Sequence, residues 1–259
     1  MRLYGLIGWP LGHSFSKKYF SEKFEREGID NARYELFPLE KIADLPALFA
    51  QNPEIAGLNV TIPYKESVIP LLHELDETAA AVGAVNCIKV GENQQLKGYN
   101  SDAVGFEKSL LRWLAETDLR GLKGLILGTG GASKAVAFVL KKLGIPFKFV
   151  SRNPQGKNQI SYEDLENDWK PSQPSTPYPS FSTILINATP LGTFPSVDAM
   201  PPVPLNFFTS GIFVYDLIYN PAETLLLREA KARGCTVKNG FEMLELQADA
   251  AWEIWQGDR

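Results

Sequence analysis

Residues 124–134 read Gly-Leu-Ile-Leu-Gly-Thr-Gly-Gly-Ala-Ser-Lys, and this stretch decides the fold. An apolar run enters a glycine-rich turn, and a stretch with helical apolar periodicity follows to Leu143. Gly128 allows the tight turn, and Gly130 lets the backbone approach a pyrophosphate at the start of the next helix, where N–H groups favour an anion. Ser133 stands where a third glycine is usual, and a plain strand-turn-helix is the alternative. The context on both sides favours the opening of a dinucleotide-binding βαβ unit.

The next apolar strand, Ile145–Val150, indicates which dinucleotide binds. It ends in Ser151, Arg152 and Asn153, and no acidic residue stands there. An NAD site usually places Asp or Glu at this strand end to bind the ribose 2′-hydroxyl, whereas the planar fork of an arginine suits a 2′-phosphate. The strand end therefore favours NADP over NAD, with an ordinary solvated arginine as the alternative.

The composition limits the classes of partner. The chain has 259 residues, 44% of them hydrophobic and 22% charged, which is enough for two domains with cores of their own. A net charge of −4 gives no indication of nucleic acid or an anionic membrane as a partner, and no apolar run approaches the length of a membrane span. Cys87 and Cys235 match no metal motif, so no metal is expected. Since we find no signal peptide, we predict a reduced, cytoplasmic protein.

Strand and helix patterns alternate before residue 100, which predicts a mostly parallel sheet with helices on its faces. The predicted strands are Leu3–Ile7, Arg33–Pro38, Ile55–Val60 and Asn86–Val90. The predicted helices are Ser16–Glu27, Lys41–Gln51, Pro63–Glu74 and Glu77–Val82.

A second unit continues from the Gly128 turn through strands near Thr183–Asn187, Ile212–Leu217 and Cys235–Lys238. We therefore predict an α/β protein with two open domains. A substrate domain at 1–101 is completed by 240–259, and a Rossmann-like domain spans 102–239. The amphipathic stretch Gly240–Trp255 is predicted to pack back on the first domain, and the proline-rich segment 167–182 is a surface loop without an assigned function.

Polar residues that follow the predicted strands are candidate site residues, because ligands of open α/β sheets bind beyond the carboxyl ends of strands. In the first domain these are 13–16, 59–65, Asn86 and 100–102. Each has an ordinary alternative, since Ser and Asp commonly cap helices and lysines are commonly solvated. Lys65 falls in the first turn of the helix predicted from Pro63, where a cation opposes the helix dipole. That placement suits a residue that handles protons.

Short motifs follow one another along almost the whole chain, at residues 8–16, 59–65, 83–86, 98–102, 128–132, 187–192, 215–219 and 240–247. The most specific combination is Asn-Val-Thr-Ile-Pro-Tyr-Lys at 59–65 with Gly-Tyr-Asn-Ser-Asp at 98–102. In residues and in order, these motifs resemble the shikimate dehydrogenase family.

The resemblance implies an enzyme that uses NADP(H) to interconvert 3-dehydroshikimate and shikimate, on the route to chorismate and the aromatic amino acids. It implies Lys65 and Asp102 as the catalytic pair, with Asp102 also near a ring hydroxyl. It implies Ser14 and Ser16 at the substrate carboxylate, and Tyr219 near the substrate. The residues implied at ring hydroxyls are Asn59, Thr61, Asn86 and Gln247. The implied cofactor contacts are Gly128, Gly130, Gly131, Ala132, Ser151, Arg152, Asn153, Asn187, Thr189, Leu217 and Gly240.

Three alternatives stay open. One is a related dehydrogenase that also accepts quinate or NAD, against which Arg152 and the paired serines argue. Another is a non-catalytic NADP-binding regulator of the same fold, against which the intact Lys65 and Asp102 argue. The third is a methylene-tetrahydrofolate dehydrogenase, which the serine pair fits less well. We expect a monomer or a homodimer that binds a small-molecule substrate, and neither nucleic acid nor a membrane.

Overall fold

The computed structural model describes residues 1–12, 15–167 and 182–257. The proline-rich segment predicted as a loop at 167–182 therefore lies almost entirely outside the described residues. The chain divides into two compact units, of which the first comprises Met1–Gly105 and Glu245–Arg259 and the second comprises Phe106–Leu244.

Strands and helices alternate along most of the chain. In chain order the elements are β1 (Arg2–Gly8), α1 (Phe15–Arg26), β2 (Ala32–Pro38), α2 (Leu45–Gln51), β3 (Ile55–Val60), β4 (Glu74–Leu75), α3 (Glu77–Val82), β5 (Cys87–Val90), β6 (Leu96–Tyr99), α4 (Ser101–Trp113), β7 (Leu122–Leu127), α5 (Gly131–Lys142), β8 (Phe147–Val150), β9 (Gln159–Ile160), α6 (Asp164–Asn167), β10 (Ser182–Asn187), β11 (Ile212–Asp216), α7 (Leu225–Ala232), β12 (Thr236–Lys238) and α8 (Phe241–Gln256).

The first unit has a mixed sheet with the strand order β2-β1-β3-β5-β6-β4. β1 pairs in parallel with β2 and β3, whereas β5 runs antiparallel to its neighbours β3 and β6. As a result, β1, β3 and β6 end at the same edge of the sheet at which β5 begins.

Both faces of this sheet carry apolar clusters, because successive strand residues point to opposite sides. Tyr4 packs on one face with α1 and α8, in a cluster that includes Phe20 and Trp255. Its neighbour Leu3 packs on the other face with α2 and α3, through Leu45 and Ala79 among others.

The described strands of the second unit form a parallel sheet with the order β12-β11-β10-β7-β8-β9. This is the doubly wound order of dinucleotide-binding folds, and it reverses between β7 and β10. Leu125–Leu127 in β7 are fully buried, as suits a central parallel strand covered on both faces. The core beneath α6 and α7 includes Leu127, Leu185, Val214 and Leu227.

The predicted fold class is confirmed: each unit is α/β, the second is Rossmann-like, and the C-terminal helix packs on the first. None of the described helices is long and apolar enough to cross a membrane.

The helix predicted at Pro63–Glu74 is wrong. This segment forms a series of turns, a short 3₁₀ helix at Ile69–Leu71 and then β4. Pro70 has no N–H to donate to the Glu66 carbonyl, and it disfavours helical geometry at the residue before it. The Glu66 carbonyl accepts from the Ile69 amide instead, in a tighter turn.

Proline also sets the start of α2. The helix predicted at Lys41–Gln51 begins only at Leu45, after a 3₁₀ turn at Ile42–Asp44. Pro46 stands in its first turn, where the missing N–H has no helical partner to lose.

Trp255 fastens α8 to the sheet of the first unit. Its ring is 4% exposed and stacks on Tyr4 with 4.8 Å between the ring centroids. Its Nε1–H donates to the Ile88 carbonyl oxygen at 3.0 Å. A Cβ at Gly57 would overlap the indole ring, so only glycine leaves room for this contact.

We predict that Gly57→Ala lowers the free energy of unfolding by about 1–3 kcal/mol, because the added methyl group overpacks the indole ring. Trp255→Ala is expected to cost about 3–5 kcal/mol through the cavity that it leaves. Urea unfolding followed by circular dichroism measures both values.

The matched control is Gly91→Ala, since a Cβ at Gly91 would meet its nearest neighbour at an ordinary 3.5 Å. Equal stability losses for the Gly57 and Gly91 variants would contradict the tight contact with Trp255.

Candidate functional site

Polar side chains gather at one edge of the first sheet. Asn59 lies near the end of β3, Asn100 follows β6, and Asn86 immediately precedes β5. The antiparallel direction of β5 brings its beginning to this edge, where the Asn86 carbonyl accepts from Val60 and the Asn86 amide donates to the Tyr99 carbonyl. The sheet topology therefore places residues from three separate motifs side by side.

Lys65 lies in the turns that follow β3, and not in the first turn of a helix. Its backbone carbonyl accepts from the Val85 amide at 2.7 Å, which ties this turn to the segment before β5. The helix dipole argument made from sequence therefore does not apply to this lysine.

Lys65 and Asp102 form an ion pair, with 2.6 Å between Lys65 Nζ and Asp102 Oδ2. Their side chains are 18% and 10% exposed, so water screens the pair only weakly. Asp102 is in the first turn of α4, where the positive end of the helix dipole favours a carboxylate. The pair fixes the direction of the Lys65 ammonium group.

Asn86 connects the residues around this pair. Its Oδ1 accepts from the Ser101 amide at 2.7 Å, and its Nδ2 donates to Ser101 Oγ at 2.9 Å. The same Nδ2 reaches Gln247 Oε1 in α8 at 3.5 Å. Asn59 Nδ2 lies 3.4 Å from the Asn86 carbonyl oxygen. Three of the amide side chains predicted near ring hydroxyls thus belong to one hydrogen-bonded network.

Tyr34 extends the network toward α1. Its hydroxyl donates to Asn59 Oδ1 at 2.8 Å and also hydrogen-bonds the side chain of Ser16. Burial raises the pKa of Tyr34 well above its ordinary value, so the hydroxyl keeps its proton for donation.

Ser14 lies outside the described residues. Thr61 follows β3, and its amide donates to the Ile7 carbonyl.

The glycine-rich turn of the second unit has the conformation that its sequence predicts. Gly128 has φ +99°, a backbone angle that residues with a Cβ rarely adopt. Helix α5 begins at Gly131, and its first amides have no carbonyl partner within the helix. A Cβ at Gly130 would meet no protein atom within 4 Å, so the space beside this helix start is open.

Ser133 closes the turn in place of a third glycine. Its Oγ donates to the Gly130 carbonyl at 2.6 Å, and its side chain is buried within α5. Ala132, next to it, adds no bulk at the helix start. A pyrophosphate fits this turn chemically, because the free amides of Gly131 and Ala132 can donate to it.

The loops after β10 and β11 lie beside this turn in the sheet order. Asn187 Oδ1 accepts from both the amide and the hydroxyl of Thr189, at 3.0 and 2.7 Å. The Asn187 carbonyl accepts from the Leu217 amide, and the Gly240 amide donates to the Ile218 carbonyl. Three predicted cofactor residues, Thr189, Leu217 and Gly240, are therefore held near the ends of parallel strands. Tyr219 follows β11 and is half-buried.

Arg152 is exposed just beyond the end of β8. The adjacent Ser151 amide donates to the Ile160 carbonyl, and the Asn153 amide donates to Ser151 Oγ at 3.3 Å. These bonds shape the turn and leave the guanidinium group at the surface. A cationic fork at this strand end fits the 2′-phosphate of NADP.

In the described part of the chain, no group of three or more His, Cys, Asp or Glu side chains could hold a metal ion. Cys87 and Cys235 are free and buried.

Comparison with known proteins identifies the family of this chain. Residues 6–88 match the family described as the shikimate dehydrogenase substrate binding domain. The chain is 39% identical over 269 residues to the shikimate dehydrogenase (NADP(+)) of Carboxydothermus hydrogenoformans, covering 99% of this chain and 92% of that protein. The corresponding enzyme of Geobacillus kaustophilus is 38% identical over 266 residues, covering 99% and 93%. The chain belongs to the shikimate dehydrogenase family.

A solved structure from the shikimate dehydrogenase family extends the likeness to three dimensions. The shikimate 5-dehydrogenase of Thermus thermophilus, in complex with NADP(H) and shikimate, matches with a TM-score of 0.82 and 30% sequence identity. The match covers 100% of this chain and 94% of that one.

Some contacts in this shikimate dehydrogenase family member do not follow from the sequence. Tyr34 is predicted as an ordinary position of a strand, and nothing local indicates that its hydroxyl meets Asn59. Ser101 belongs to the predicted candidates at 100–102, but its bonds to Asn86 are not predicted, because helix capping explains a hydroxyl there equally well. Asp216 does carry a local signal, because an acidic residue directly ends the apolar strand β11.

We predict that Arg152→Ala weakens NADP+ binding roughly 10- to 100-fold, the usual effect of losing a charged hydrogen bond. NAD+, which lacks the 2′-phosphate, should bind almost unchanged. Fluorescence titration of each cofactor gives the two dissociation constants.

Arg120→Ala is the matched control, because Arg120 is another exposed arginine of the same unit and pairs with Asp118 at 3.0 Å. An equal loss for NADP+ and NAD+ in the Arg152 variant would exclude a contact to the 2′-phosphate.

Proposed function

We propose that this chain catalyses the reversible NADPH-dependent reduction of 3-dehydroshikimate to shikimate, within the biosynthesis of aromatic amino acids. The observation that carries the proposal is the ion pair of Lys65 and Asp102, next to the amide network of Asn59, Asn86 and Gln247 that includes the neighbouring Ser101. Relatives that share 38–39% identity over nearly the full length bear the name shikimate dehydrogenase (NADP(+)).

We assign substrate binding to the domain at 1–101 with 240–259, and cofactor binding to the domain at 102–239. Asn59, Asn86 and Gln247 offer both acceptors and donors, which match the hydroxyl groups of a polyhydroxylated ring. Thr61 adds a further hydroxyl. Ser14 and Ser16 donate to the substrate carboxylate without adding a charge that would disturb Lys65.

On the cofactor side, we assign the turn of Gly128, Gly130, Gly131 and Ala132 to the pyrophosphate. Arg152, with Ser151 and Asn153, holds the 2′-phosphate. Parallel strand order places the ends of β10 and β11 on the opposite side of the switch point from β8, so we assign Asn187, Thr189, Leu217 and Gly240 to the nicotinamide half.

The chemistry of reduction requires a proton at the carbonyl oxygen as alkoxide charge develops. Bound NADPH supplies the hydride that the carbonyl carbon accepts. Lys65 Nζ donates the proton to the oxygen, and its positive charge stabilises the alkoxide before the transfer. Asp102 Oδ2, 2.6 Å away, keeps the ammonium group directed until that moment. In the direction of oxidation, neutral Lys65 accepts the hydroxyl proton.

The decisive assay measures the absorbance of the NADPH that forms when NADP+ is reduced in the presence of shikimate. Parallel reactions replace shikimate with quinate, or NADP+ with NAD+. We expect shikimate with NADP+ to be the preferred pair. Preference for quinate or NAD+ would favour the broader dehydrogenase, and no turnover despite NADP+ binding would favour a regulator.

The proposal also includes a reduced, cytoplasmic protein, either monomeric or homodimeric.

We predict that Lys65→Ala lowers kcat by about 100-fold or more while KM for shikimate changes only by a small factor. The reason is that the variant loses proton donation in the transition state and keeps the amide network that binds the ring. Steady-state kinetics with shikimate and NADP+ measure both constants.

Lys97→Ala is the control, since Lys97 forms a lysine–carboxylate pair with Glu74 in the same unit, away from the amide network. A raised KM with unchanged kcat in the Lys65 variant would show that this lysine only anchors the substrate.

A further inference from the structure

Asp216 is a fully buried carboxylate at the end of β11. It accepts three hydrogen bonds: from Asn187 Nδ2 at 3.0 Å, from the Ile218 amide at 3.1 Å and from Thr224 Oγ1 at 2.6 Å. Burial raises the pKa of Asp216 to about 6, although these three bonds oppose the rise. All three donors are uncharged. The free-energy cost of burying the carboxylate is therefore offset by neutral hydrogen bonds and not by a paired cation.

The bond from Asn187 determines which way the Asn187 amide faces. Because Nδ2 donates to Asp216, Oδ1 is directed to the other side, where it accepts from the amide and the hydroxyl of Thr189. Thr189 Oγ1 in turn accepts from the Leu191 amide at 3.3 Å. If the Asn187 amide rotated by half a turn, Nδ2 would face the Thr189 amide, donor against donor, and the loop after β10 would lose that backbone bond.

This loop borders the glycine-rich turn. A Cβ at Gly128 would lie 3.1 Å from Thr189 Cγ2, so the two segments are in close contact. Asp216 and Asn187 also hold the segment after β11. The Ile218 amide donates to the Asp216 carboxylate, and the Leu217 amide donates to the Asn187 carbonyl. One carboxylate therefore orders both loops on the far side of the switch point from Arg152.

We propose that Asp216 is a positioning residue for the NADP site, which sets the orientation of the Asn187 amide and so holds Thr189 and Leu217 in place for the nicotinamide half of the cofactor. This inference rests on the proposed function. Asp216 itself is fully buried, so it acts through Asn187 and not by direct contact. The bond from Thr224 serves a separate purpose, because Thr224 caps α7 by accepting from the Leu227 amide.

The test compares two kinds of variant at position 216. Asp216→Thr keeps a side chain that suits a strand, but its hydroxyl is too short to take the place of the carboxylate toward Asn187. Asp216→Asn keeps an oxygen that can accept from Asn187 and Ile218, while its amide can donate to Thr224. We expect Asp216→Thr to raise the Kd for NADP+ about tenfold, the value of one lost hydrogen bond, and Asp216→Asn to stay within about threefold of wild type.

The readouts are NADP+ binding by fluorescence titration, the Tm without ligand, and KM for shikimate at saturating NADP+. KM for shikimate should stay within about twofold in both variants, since the substrate residues of the first unit are unchanged. If Asp216→Thr fails to fold, Asp216→Ala measured at reduced temperature takes its place, with circular dichroism to verify the folded state.

Thr224→Val is the matched control, because it removes a buried hydrogen bond to the same carboxylate and leaves Asn187 untouched. We expect it to lower Tm and leave the Kd for NADP+ unchanged. A lower Tm with normal NADP+ binding in Asp216→Thr would overturn the inference and leave a purely structural role. A Kd for NADP+ raised equally in Asp216→Asn and Asp216→Thr would also overturn it. Failure of wild type to bind NADP+ or to oxidise shikimate would instead contradict the proposed function.

Discussion

The ion pair of Lys65 and Asp102 is the interaction that joins two separate segments at the polar edge of the first unit. Removing either partner would leave the other charge with little solvent, which typically costs about 3–5 kcal/mol. Backbone contacts fix both ends, through the Val85 amide at Lys65 and through the first turn of α4 at Asp102. The pair therefore joins the turns after β3 to the start of α4 and fixes the direction of the Lys65 side chain.

The need to pair every buried polar group shapes the rest of the structure. Among the described residues, no buried side-chain nitrogen or oxygen lacks a hydrogen-bond partner. In the first unit this requirement links Ser16, Tyr34, Asn59 and Asn86 into one network. In the second unit the buried Asp216 carboxylate links Asn187, Ile218 and Thr224, which all donate to it as neutral groups. Each unit thus fixes its candidate site residues through groups that themselves stay covered.

The sequence predicts those features that depend on local chemistry. The Gly128 turn, the alternation of strands and helices and the exposed Arg152 all follow from neighbouring residues. The helix predicted at Pro63–Glu74 is wrong, because the missing N–H of Pro70 decides the backbone there. The contact of Tyr34 with Asn59 joins residues 25 positions apart, and it follows only from the pairing of β1 with β2 and β3. The roles of the site residues stay predictions.

The two cations that the sequence singles out lie in opposite electrostatic environments. Lys65 is in a weakly solvated ion pair, and Asp102 fixes the direction of its ammonium group. Arg152 is exposed just beyond the end of β8, so it can attract an anion such as a phosphate without losing its own hydration beforehand. Under the proposed function, the paired lysine is the proton donor and needs a fixed direction, whereas the exposed arginine distinguishes one cofactor from another and needs only its charge and its planar fork.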